Sequence, residues 1–144
     1  MAVLSAEEQE KVVHAISLAE NKTSGEIRIV VENTVGDVEP ITKAQQYFEE
    51  LEMHKTILRN GVLIYLAVAD HQFAIIGDAG IDQNVQDEFW ESTKDKMVSF
   101  FRKGDYVNGL IEGIHEVGEQ LKQFFPRKED DINELPNDIY FGKH

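Results

Sequence analysis

Four oxygen-bearing side chains in this sequence, Glu26, Asn60, Asp78 and Asp82, fall at the ends of apolar segments rather than inside them. Val62 to Ala69 is a continuous apolar run, opened by Asn60 and Gly61 and closed by Asp70. Phe73 to Ile76 is a second run, closed by Gly77, Asp78, Gly80 and Asp82. Runs of this length bounded by turn residues read as strands buried on both faces. An antiparallel pair returns the chain to the edge it left, so Asn60 and Gly61 meet Gly77 and Asp78 there. Glu26 starts an earlier strand and belongs to the same pole. Carboxylate, carboxamide and backbone carbonyl oxygens are the ligands that hard cations such as Ca2+ and Mg2+ prefer. The two glycines let backbone approach closely. The pattern therefore points to a divalent cation at one pole of a sheet. The plainer use of the same residues is a turn at Asp78 and a helix cap at Asp82.

The opposite pole gathers Glu32, Asp37, Asp70, His71 and Asp105. Asp70 and His71 are most simply the turn of the hairpin, and Asp105, after Gly104, is a helix cap. Glu112 and His115 form an E-x-x-H pair. A di-iron bundle needs a second such pair and further glutamates on facing helices, so a solvated helix face is expected. The acidic cluster Glu129, Asp130, Asp131 and Glu134 lacks the alternating aspartates and central glycine of a calcium loop. No phosphate-binding G-x-x-x-x-G-K-[ST] loop, dinucleotide G-x-G-x-x-G or G-x-S-x-G elbow occurs. The absence of cysteine removes disulfides, thiolate catalysis and cysteine-ligated metals.

The elements that position these residues follow from periodicity. Ser5 and Glu8 fit a capping box, and Val12, Ile16 and Ala19 follow at helical spacing, giving a first helix over about Ala6 to Glu20. Ile27, Ile29 and Val31 alternate with Glu26, Arg28 and Glu32, which reads as a half-exposed strand. Pro40 suits the first turn of a second helix with Ile41, Ala44, Phe48 and Leu51 inward. A third helix starts near Gln83 with Val85, Phe89, Met97 and Phe100 inward. The fourth carries Val107, Leu110, Ile111, Ile114, Val117, Leu121 and Phe124 on one face. Gly109 and Gly113 on that helix indicate close packing on a neighbour, because glycine in a helix costs about 1 kcal/mol. The order α-β-α-β-β-α-α predicts an α/β class fold: a three-layer α/β/α sandwich around a small mixed sheet. Residues 1–126 form the single domain. Residues 127–144 form an acidic tail with an apolar remnant at Ile139, Tyr140 and Phe141, lying as an arm over the surface.

With 144 residues the chain can bury one substantial core. A net charge of −13 opposes nucleic acid and anionic membranes and suits divalent cations or a basic partner. No basic segment followed by an apolar core opens the chain, and no apolar run reaches spanning length, so direct membrane insertion is not expected. A cytoplasmic location is the default expectation.

Four segments together resemble a known family. SGEIRIVVE, then a helix with Ala44, Phe48, Leu51 and Met53, then RNGVLIYLAVADHQFAIIGDAGID is similar to the TPM domain, and FFRKGDYVNGLIEGIHEVGEQL to its closing helix pair. That family includes thylakoid-lumen proteins linked to photosystem II repair and many bacterial proteins. The resemblance spans roughly Ser5 to Phe125 and implies an α/β/α sandwich, binding of Ca2+ or Mg2+ and, for plant members, acid phosphatase activity. The family's N-D-G falls on Arg59, Asn60 and Gly61, where asparagine stands in place of aspartate and one formal charge is lost. Its G-x-G segment falls on Gly77, Asp78, Ala79 and Gly80, and its G-D-Y on Gly104, Asp105 and Tyr106. Many bacterial members carry a signal peptide and a membrane anchor, and this sequence reads as a short, stand-alone soluble version. LemA-type membrane proteins are associated with bacterial relatives, which implies a protein partner.

The expectation is thus a binding or regulatory module with Glu26, Asn60, Asp78 and Asp82 around a cation. A metal-assisted phosphatase, with Glu26 as base, is the first alternative. The second is a protein-interaction domain without ligand, using the strand face around Arg28 and the tail around Tyr140.

Overall fold

Ser5 opens the first helix with the reciprocal bonds its sequence demands. Its hydroxyl accepts the Glu8 N–H at 3.2 Å, and the Glu8 carboxylate accepts the Ser5 N–H at 2.8 Å. Helix α1 then runs Ala6–Glu20. A computed structural model describes residues 4–56, 59–82, 90–127 and 139–142. After α1 come β1 (Glu26–Glu32), α2 (Pro40–Glu50), a 3-10 turn (Met53–Lys55), β2 (Gly61–Ala67) and β3 (Gln72–Gly77). A single-turn α3 (Ala79–Asp82), α4 (Glu91–Phe101), α5 (Tyr106–Phe124) and a short β4 (Ile139–Phe141) complete the order. Val85 and Phe89, the expected start of the third helix, and the Glu129–Glu134 cluster lie outside the described residues.

The four strands form one open mixed sheet, ordered β3-β2-β1-β4. β1 runs parallel to β2 and to β4, and β2 runs antiparallel to β3. Ile27, Ile29 and Val31 join Val62, Ile64 and Leu66 in a core shared with α1, α4 and α5. Val30, Leu63, Tyr65 and Ala67 face the other way, against Ala44 and Tyr47 of α2. Alternate residues of each strand thus enter different cores, which explains why β2 is apolar throughout. The expected α/β/α sandwich is what the chain forms.

Three local expectations are corrected. β1 is buried at every position except Arg28, because Glu26 backs onto α1 and Glu32 is enclosed by tyrosines. On α2 Ala44, Phe48 and Leu51 face the core as expected, but Ile41 is exposed and Tyr47 is buried instead, because its hydroxyl reaches Glu32. Residues Ile139–Phe141 do not lie as a surface arm but add the fourth strand, with Ile139 buried. The glycines of α5 serve packing as expected: a Cβ at Gly109 would overlap the Phe101 ring, and one at Gly113 the Met97 thioether.

Candidate functional site

The register of the sheet sets three expected residues side by side. Glu26 pairs with Gly61, and Val62 with Gly77, so Glu26, Asn60 and Asp78 occupy the same pole on adjoining strands. All three are buried. The Asn60 carbonyl accepts the Glu26 N–H at 3.3 Å, and its carboxamide donates to the Ser24 hydroxyl at 3.5 Å. Gly25 allows this approach, since a Cβ there would lie 3.4 Å from the Asn60 carbonyl oxygen and 2.8 Å from Leu121. Asp82 closes α3 beside this pole, and its side chain lies outside the described part of the structure.

Asp78 is the most constrained of the set. Its carboxylate takes two parallel bonds from Arg59, Nε to Oδ2 at 2.7 Å and Nη2 to Oδ1 at 2.8 Å. Oδ1 also accepts the Ala79 N–H at 2.7 Å, the turn role the sequence suggests. The Asp78 side chain is 4% exposed, whereas that of Arg59 is 49% exposed. Arg59 itself sits at φ 52°, in the left-handed region. Its carbonyl accepts the Gly80 N–H at 2.8 Å, so the backbone before β2 is tied to α3 on the same side as the ion pair. A charged, bidentate pair of this kind is both strong and directional.

Behind Glu26 lies a residue that the sequence reading missed. Glu20, in the last turn of α1, is 1% exposed, and its Oε2 accepts the Ile27 N–H at 2.7 Å. Burial pushes its carboxyl up to about 8, and the adjacent Glu26, by charge and by a hydrogen bond between the two side chains, pushes the same way. The Ile27 N–H and the Arg127 charge pull in the other direction. Arg127 also donates to the Glu20 carbonyl at 3.0 Å. The Glu20 carboxyl is therefore held in its protonated form at neutral pH. One signal pointed to Glu20: an acid in the C-terminal turn of a helix opposes the macrodipole and needs a reason to be there.

The opposite pole is differently built. Glu32 is a buried acceptor for the hydroxyls of Tyr47 and Tyr65, and therefore no part of an open acidic pole. Asp70 accepts the Val35 N–H at 2.7 Å, and Asp105 caps α5 through the Asn108 N–H at 3.2 Å. His71 and Tyr106 meet at 2.9 Å, joining the β2–β3 turn to α5. Asp105 is the expected helix cap, and Asp70 and His71 lie in the expected hairpin turn while also tying it to Val35 and Tyr106.

Among the described residues, no three His, Asp or Glu side chains group closely enough to hold a metal ion. The Asp78 carboxylate is taken by Arg59, and the Glu26 carboxyl lies against Glu20. Also among the described residues, no helix is long and apolar enough to cross a membrane.

The sequence profile of the TPM domain matches residues 1–120. The structure is similar to the NMR structure of BA42 protein from the psychrophilic bacterium Bizionia argentinensis, at 45% identity and a TM-score of 0.92, covering 98% of this chain and 97% of that one. Two more distant structures share the fold. One is the N-terminal domain of a protein from P. gingivalis, at 20% identity, TM-score 0.70 and 86% and 80% coverage. The other is the N-terminal domain of cg2496 protein from Corynebacterium glutamicum, at 15% identity, TM-score 0.66 and 99% and 83% coverage. No curated protein matches the chain.

Proposed function

This chain belongs to the TPM domain family, and on that premise we propose that it is a binding module taking Ca2+ or Mg2+ at the pole of Glu26, Asn60, Asp78 and Asp82. The observation that supports this reading is the Arg59–Asp78 pair. A cation, the guanidinium, already sits on the buried carboxylate of the pole, and its own side chain is half-exposed. A metal ion taking its place keeps Asp78 neutralised while drawing on the oxygens of Asn60 and Glu26. Few carboxylates and a competing arginine give modest affinity, since calcium binding follows ligand charge and rigidity.

The test is a residue-resolved NMR titration of the metal-free chain with Ca2+ and Mg2+ at physiological ionic strength, where diffuse attraction is screened. Saturable shifts are expected at Gly25, Glu26, Asn60 and Gly77 to Asp82, and are absent in Asp78→Ala. Shifts spread evenly over the acidic surface would remove the site.

A second reading, a metal-assisted phosphatase, is favoured by the Glu20–Glu26 pair alone. Two neighbouring buried carboxyls, one of them raised toward neutrality by burial, suit acid–base chemistry. A bound metal would supply polarisation of a phosphoryl oxygen. Glu26 would then accept a proton from the attacking water, and Glu20 would hold Glu26 in place. Phosphate release that survives Asp78→Asn or a chelator would eliminate this reading.

A further inference from the structure

β4 is only three residues long, yet Ile139, Tyr140 and the following Gly142 each meet a fitted receptor. Ile139 is buried in the core beside α1, pairing with Ile29. The Tyr140 ring packs on Tyr47 with centroids 5.6 Å apart. Phe141 points out and is exposed. Gly142 donates its N–H to the Val31 carbonyl at 2.9 Å. Its α-carbon rests against the Glu32 carboxylate and Tyr47 hydroxyl so closely that any Cβ would overlap both. The edge of β1 therefore reads an extended segment of the form apolar, aromatic, any, glycine. Strand addition works in this way, with main-chain bonds giving affinity and alternate pockets giving specificity.

We propose that the outer edge of β1 is a strand-addition site that takes Ile139–Gly142 from a second copy of this chain, in exchange for its own. Every contact of the segment is the same in either arrangement, so exchange sacrifices none of them. Residues 128–138 connect the segment to Arg127. Eleven residues can span roughly 36–40 Å when extended, enough to reach a neighbouring molecule. The net charge of −13 opposes two copies meeting, so exchange should grow with ionic strength.

Two measurements on the full chain decide this. In Gly142→Val the slot loses its own occupant, and the Val31 and Tyr47 amide signals move from their wild-type positions. A synthetic peptide of residues 137–144 should return them saturably, while the same peptide carrying G142V should not. Tyr140→Ala replaces the variant if Gly142→Val does not fold. Separately, 15N-labelled and 13C-labelled wild-type copies are mixed at ~1 mM, where second-copy binding competes with the tethered segment. Contacts between Tyr47 of one copy and Tyr140 of the other should appear and strengthen at least twofold with added salt. Amides unmoved by the native peptide, or contacts confined to single copies at every salt concentration, would overturn the proposal.

Discussion

Glu20, the last residue of α1, and Glu26, the first residue of β1, are buried next to each other where helix turns into strand, and burial together with Glu26 raises the Glu20 carboxyl. The pair closes the turn from helix to strand, with the Ile27 N–H as its third member.

The pair makes stability fall as pH rises. Glu20 goes from about 4.5 in the unfolded chain to about 8 in the folded one, so the folded state binds the extra proton. Its contribution is complete below pH 4.5 and is lost progressively up to about pH 8. Glu20→Gln keeps the hydrogen-bonding shape without the titration. Relative to wild type it should gain on the order of 4 kcal/mol between pH 5 and pH 9, at ~1.4 kcal/mol per unit of pKa. Thermal unfolding at the two pH values measures this. An equal difference between variant and wild type at both would show that Glu20 does not titrate in this range.

Arg59 has two roles that separate by mutation. Arg59→Gln leaves Asp78 with the Ala79 N–H and weakens the fold by about 1–3 kcal/mol, the cost of an under-satisfied buried acceptor. If the cation reading holds, the same variant removes the competing guanidinium and tightens Ca2+ binding roughly tenfold, about 1.4 kcal/mol. Calorimetric titration distinguishes these effects. Weaker binding in Arg59→Gln would mean that the arginine supports the pole rather than occupying it.

Gly109 and Gly113 differ in what stands over them. Alanine at either position gains up to about 1 kcal/mol of helix propensity. At Gly109 the new methyl meets the stiff Phe101 ring, and at Gly113 the flexible Met97 side chain, whose Sδ would lie at 2.5 Å. Gly109→Ala should therefore cost about 1–3 kcal/mol, and Gly113→Ala distinctly less. Urea unfolding of both variants gives the comparison. Stabilisation by Gly109→Ala would contradict the close approach of α4 and α5.

Tyr47 and Tyr65 satisfy one buried carboxylate, so their loss should be cooperative. Tyr47→Phe leaves Glu32 with one hydroxyl donor among the two and costs about 1–3 kcal/mol. Burial, and then the Glu32 hydrogen bond, push the Tyr65 phenol above its ordinary range, which keeps it a donor at any working pH. A double-mutant cycle with Tyr65→Phe should give a coupling energy of at least about 0.5 kcal/mol. Additivity would indicate that the two hydroxyls act independently on Glu32.

Local chemistry was written in the sequence where one hydrogen bond spans three or four residues. Ser5 with Glu8 set the start of α1 and Asp105 that of α5 in this way, while Pro40 set that of α2 through its fixed backbone angle. Unbroken apolar runs marked β2 and the core of β3, because strands covered on both faces carry no polar alternation. The same rule failed for β1. Its glutamates look solvent-facing in an alternating pattern, and only tertiary contact shows Glu26 against Glu20 and Glu32 between two tyrosines. The pole of Glu26, Asn60 and Asp78 was legible from strand ends, since the strand directions alone bring those ends together. What sits on Asp78, and where Ile139–Phe141 docks, was decided by the fold. An arginine's reach across a strand end and a three-residue strand's fit to one edge leave no period in the chain to read.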